Sequence, residues 1–118
     1  MRGVLGVLVC FTLAACSPAV ESSIIGAYVP PSMPTMAAAS EGIKKAATEE
    51  KLTGPIEISD LRETDHGPGR FMLCIRGVES TYRRVRTHAV FFDNDEYKGS
   101  RMSVILDDCE KQDYRPFP

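Results

Sequence analysis

The chain has 118 residues, with 14 basic and 16 acidic side chains and a net charge of −2, enough for one small domain and a tether. The negative balance argues against a nucleic-acid binder, whose affinity rests on a positive field. With no tryptophan and 8% aromatic residues, the core is small, and a domain of this size gains from a covalent staple.

In the first segment Arg2 supplies a positive charge, Val4 to Phe11 form an apolar stretch broken by Gly6, and Thr12 to Ala15 lead to small residues. This is the layout of a secretory signal. The stretch is well short of the ~20 apolar residues that span a bilayer. Leu13-Ala14-Ala15-Cys16 resembles the lipobox of bacterial lipoproteins. That resemblance implies removal of residues 1–15, a diacylglycerol on the Cys16 sulfur and an acylated new N-terminus, giving a mature chain from Cys16 to Pro118. Membrane binding then follows from about 0.8 kcal/mol per buried acyl methylene. Ser17 stands where an Asp would imply inner-membrane retention, so the same resemblance implies the cell envelope at the outer membrane, facing the periplasm. The competing reading is an ordinary signal peptide cleaved near Ala15. Loss of Arg2 leaves 13 basic residues against 16 acidic ones.

Residues 16–34 read as the tether, since Pro18, Pro30, Pro31 and Pro34 oppose a helix; as a coil it spans about 23 Å. Ile24-Ile25-Gly26-Ala27-Tyr28-Val29 is more apolar than a spacer requires. It suits a short strand added to the sheet, or else a segment that docks on a membrane partner. Residues 35–118 form the domain. Thr35 to Leu52 reads as a helix, capped by Thr35 and stopped by Gly54-Pro55. Its inward face is Met36, Ala39, Ile43 and Ala46-Ala47. Glu49 and Glu50 sit at the negative end of the helix dipole, which weakens it unless it is docked.

From Pro55 the period changes to two. Ile56 and Ile58 open a first strand, and Asp65-His66-Gly67-Pro68-Gly69 is a loop by composition. In Arg70 to Arg76, Phe71, Leu73 and Ile75 point one way and Met72, Cys74 and Arg76 the other. Val85 to Phe92 is a further strand with Val85, Thr87, Ala89 and Phe91 on one face. Asn94-Asp95 then turns towards Tyr97 and a strand over Arg101 to Leu106. The tail carries Tyr114 and Phe117 against the domain. The expectation is an α+β domain, one N-terminal helix packed on a three- to four-stranded antiparallel sheet.

If Cys10 leaves with the signal and Cys16 carries lipid, Cys74 and Cys109 remain. In an oxidising compartment such a pair forms a disulfide, contributing roughly 3 to 4 kcal/mol by loop closure. Two buried free thiols, or a zinc site with His66 and His88, are the alternatives. Zinc sites favour short C-x-x-C or H-x-x-x-H pairs, and neither spacing occurs.

Three constellations could carry chemistry. Arg83, Arg84, Arg86 and His88, with Arg76 and Arg101 across the strands, form a possible anion-binding patch, since guanidinium groups present paired donors. The alternative is a solvated strand face paired with nearby acids. Asp93-Asn94-Asp95-Glu96 and Asp107-Asp108-Cys109-Glu110 lack the calcium-loop pattern and read as acidic turns, with no metal expected. Neither a G-x-S-x-G elbow nor a phosphate loop or zinc-protease motif occurs, so neither enzyme activity nor a cofactor is expected.

Gly69-Arg70-Phe71-Met72-Leu73-Cys74-Ile75-Arg76-Gly77, Ala89-Val90-Phe91-Phe92 and Asp108-Cys109-Glu110 look like small, uncharacterised lipoproteins of alphaproteobacteria. The likeness fits Cys74 bonded to Cys109 and implies no activity. The leading functional expectation is a non-enzymatic envelope lipoprotein, anchored in the membrane through Cys16, that contacts an envelope protein or a cell-wall polymer and no nucleic acid. The alternative is an inhibitor or ligand-binding lipoprotein, of the kind that blocks lysozyme.

Overall fold

The computed structural model describes Gly3 and residues 28–118; the signal segment, Cys16 and residues 24–27 of the apolar stretch lie outside the described residues. The chain divides into Met1–Pro30 and Pro31–Pro118, and the fold is that of the second unit. No described helix is long and apolar enough to cross a membrane.

Helix α1 spans Met36–Glu49. The Thr35 backbone is extended and its hydroxyl accepts the Ala38 N–H at 3.2 Å, satisfying one of the free donors at the helix start. The helix ends three residues sooner than the Gly54-Pro55 signal suggests. Lys51 takes a left-handed conformation, φ 55°, which drops Leu52 into the core and starts strand β1, Leu52–Ile58. Gly54 and Pro55 instead occupy a bulge, where pairing slips between Thr53↔Val78 and Glu57↔Arg76. Gly54 supplies the positive φ there, 74°, and a bulge tolerates the missing proline N–H.

The remaining strands are β2, Arg62–Glu63; β3, Phe71–Glu79; β4, Arg84–Asp93; β5, Glu96–Met102; and β6, Arg115–Pro116. The sheet order is β5-β4-β3-β1-β6, with β2 also paired to β3, and every pairing is antiparallel. The α+β class holds, but the sheet has six strands rather than three or four. The additional members β2 and β6 are two residues long, too short to show any period. A second correction concerns the last long strand. It begins at Glu96, directly after the Asn94-Asp95 turn, and Val104 to Leu106 leave the sheet instead of extending it.

Both faces of the sheet centre are covered. Phe71, Leu73, Ile75, Val90 and Phe92 pack against Ala39, Ile43 and Ala46 of α1. On the other face Met72, Cys74, Ala89 and Phe91 are covered by Cys109 and Tyr114. Gly42 lets the helix lie against the Phe92 ring, into which a Cβ would project. Met36, assigned to the inward helix face, is outside at 67% exposed, and Val85, on the same strand face as Ala89 and Phe91, is 65% exposed. Both lie at ends of their elements, beyond the reach of what covers the centre. Tyr114 and Phe117 do pack on the domain, one on each face.

Candidate functional site

After Met102 the chain is pegged by Ser103 N–H donating to the Thr87 carbonyl at 3.0 Å. It then makes two successive 3-10 turns, Ile105–Asp107 and Cys109–Lys111. Asp107 holds the first. Its side chain has no solvent exposure, and Oδ2 accepts the Val104 N–H at 2.9 Å while Oδ1 accepts Arg101 Nη2 at 2.9 Å. The Asp107 carbonyl accepts from Arg62 Nη2. Arg101 also lies 4.8 Å above the Phe91 ring and donates to the His66 carbonyl at 3.2 Å. A buried carboxylate needs such partners to remain charged. The second turn is fixed by the Cys74–Cys109 disulfide and by Tyr114, whose hydroxyl donates to the Cys109 carbonyl at 2.6 Å.

This brace presents an apolar surface to solvent. Ile105 is 94% exposed, Leu106 66%, Met102 55% and Val104 49%. Asp108, Glu110 and Lys111 stand exposed beside them, and a cavity of about 570 Å³ lies along the turn. Contiguous exposed apolar surface rimmed by polar residues marks a contact site more often than an exposed single residue does. The His66 ring sits between Asp65, 2.9 Å from Nδ1, and Asp107, 3.5 Å from Nε2. The His66 bond is the main reason the exposed Asp65 carboxyl lies below the usual carboxylate range. Among the described residues no hydroxyl or thiol is bonded to that ring, so the arrangement orients the loop without presenting a nucleophile.

The expected basic patch is divided. Arg84, Arg86 and His88 share the α1 side of β4, whereas Arg76 and Arg101 project from the opposite face and do not join them. Arg76 is paired with Glu57 and lies 4.1 Å over Tyr114. Arg83 occupies the β3–β4 turn with φ 53°. Glu79 in the same turn accepts the Tyr82 N–H at 2.9 Å and the Thr81 N–H at 3.0 Å. Those bonds, led by Tyr82, hold its exposed carboxyl low.

His88 is buried, with Nε2 3.1 Å from Glu50 Oε2. Burial pushes its pKa below the ordinary histidine value, against the attraction of Glu50 and with help from nearby Arg86. A polar chain continues from Glu50 to Ser100, from Ser100 to Tyr97 and from Tyr97 to Glu49, at 2.9, 3.1 and 2.7 Å. Burial first, then Glu49, pushes the Tyr97 hydroxyl up to about 12. The two glutamates that look unfavourable at the helix end therefore bond the helix to the sheet.

The first acidic cluster is likewise structural. Asn94 Oδ1 accepts the Ser32 N–H, Asp95 Oδ1 the Thr35 N–H and Asp93 Oδ1 the Arg70 N–H, at 2.8, 2.8 and 2.7 Å. Among the described residues no group of three His, Cys, Asp or Glu side chains is placed to hold a metal ion. The sequence reading missed the apolar turn because Val104-Ile105-Leu106 was absorbed into a strand. Three successive aliphatic residues with no alternation, followed by Asp107, were the available signal.

Comparison with known proteins finds no matching family, no matching curated protein and no matching solved structure.

Proposed function

We propose that this protein is a lipid-anchored lipoprotein of the bacterial envelope, processed at Cys16, that works without catalysis by docking its apolar turn on a partner protein. The observation that carries the docking is the pairing of exposed Val104, Ile105 and Leu106 with a fully buried Asp107 that fixes their backbone. The brace holds three aliphatic side chains in solvent in one fixed arrangement, which suits a contact surface. The neighbouring Asp108 and Glu110 favour a partner with a basic rim. That rim also keeps the inhibitor reading in view, because a basic target such as lysozyme meets the same requirement.

The test places a photo-crosslinking residue at position 105 in cells, with position 41 on the exposed helix face as the control. A discrete adduct from 105, absent from 41 and lost with Leu106→Asp, supports the docking surface. Equal, diffuse labelling from both positions removes it. Mass spectrometry of protein extracted from membranes checks the anchor separately: an unlipidated chain ends that part of the reading while leaving the docking result intact.

A further inference from the structure

A second surface lies across the sheet from the turn, between the first half of α1, the end of β1 and the C-terminal tail. It encloses a cavity of about 360 Å³, at the small end of the ~300–1,000 Å³ typical of ligand sites. Its floor is core: Ala39, Ile43, Ile58 and Leu73. The tail forms one wall, with Phe117 packed on the core and its N–H donating to the Ile56 carbonyl at 2.8 Å. Met33 and Met36 flank the opening, 53% and 67% exposed. Exposed methionines are soft, unbranched side chains that fold over an apolar guest of irregular shape.

The polar groups at this site are arranged in two ways. Ser59 is spent within the fold, accepting the Cys74 N–H at 2.8 Å and donating to the Asp60 carbonyl at 3.3 Å. Arg115, by contrast, stands at the rim, paired among the described residues with Asp60, whose side chain is 81% exposed. An exposed ion pair is worth about 0–1 kcal/mol, so Asp60 swings into water at little cost and frees the guanidinium. Arginine then offers two parallel donors that match a carboxylate.

We propose that this cavity binds a single-chain aliphatic carboxylate, its chain over Ala39, Ile43 and Leu73 and its head on Arg115. The volume admits one chain of medium length and excludes a two-chain lipid. This site is separate from the apolar turn, and neither depends on the other.

The experiment uses the full chain carrying Cys16→Ser, purified without detergent and labelled at the methionine methyls. Hexanoate, octanoate and decanoate are added below their micelle concentrations. Of the five methionines, Met33 and Met36 should shift in the NMR spectrum, while Met102 beside the apolar turn should not. Affinity should rise about fourfold per methylene and level off once the cavity is full. Arg115→Gln should weaken decanoate about tenfold or more while leaving decanol within about twofold. Arg115 is exposed and the substitution touches no core contact, so loss of the fold is not expected; an unchanged Met72 signal verifies this. Binding of decyltrimethylammonium as strong as that of decanoate, equal shifts from phosphatidylglycerol vesicles, or shifts at Met102 alone would overturn the proposal.

Discussion

Replacing Asp107 by Ala should destabilise the domain by about 3 kcal/mol. The loss has two sources. The Val104 N–H, bonded at 2.9 Å to a fully buried oxygen, becomes an unsatisfied donor, which costs about 1–3 kcal/mol. Arg101 loses the carboxylate it pairs with among the described residues; with its side chain 37% exposed it partly rehydrates, so that contribution is held to about 1 kcal/mol. For a domain of this size the sum lowers Tm by about 15 °C. Urea denaturation followed by circular dichroism measures it, with Arg101→Ala and the double variant completing a cycle. Contact between the two side chains predicts a coupling of at least about 0.5 kcal/mol. Asp107→Asn, which keeps an oxygen for Val104, should cost less than Asp107→Ala. A loss below about 1 kcal/mol for Asp107→Ala, or strictly additive single variants, would refute the view that this carboxylate braces the turn.

Removing the staple with Cys74→Ala and Cys109→Ala should cost about 4 kcal/mol, given a separation of 35 residues, read as a fall in urea midpoint; an unchanged midpoint contradicts the role. Gly42→Ala should lower Tm although alanine favours helix by about 0.5–1 kcal/mol, because its Cβ meets the Phe92 ring and overpacking costs about 1–3 kcal/mol. A rise in Tm would show that the helix sits further off than described. His88 has a folded pKa below its ordinary value of 6.5, so its contribution is present above that pH and lost as pH falls through the lower folded value. Between pH about 7.5 and about 5.5 the protein should therefore lose more stability than His88→Gln; equal losses would rule out the buried neutral histidine. In a spectrophotometric titration, Tyr97→Phe should remove a component ionising near pH 12, and loss of a component near 10 instead would place that hydroxyl in solvent.

Local chemistry made much of this fold legible. Period-two alternation located β3 and β4 because their side chains alternate between two covered faces, and Thr35 signalled the helix start through its own hydroxyl. The pairing of Cys74 with Cys109 was expected on the reading that Cys10 leaves with a signal and Cys16 carries lipid, and the structure contains that bond. Gly54-Pro55 misled, because a helix stop and a strand bulge call for the same residues. The basic run likewise concealed its division: strand partners set which arginines share a face, and burial against Glu50 removed His88 from any open patch.

The sequence by itself determined the α+β class, the helix, the central hairpin and the staple, since each rests on residues close in the chain or on the chemistry of one residue type. The apolar turn and the small cavity were decided only by tertiary structure. Whether Val104 to Leu106 continue a strand depends on Asp107 finding Arg101 and Arg62 beneath the sheet. The cavity exists because a tail strand of two residues pairs with β1 on the far edge. Those outcomes depend on desolvation and on partners distant in sequence, which local periodicity does not encode.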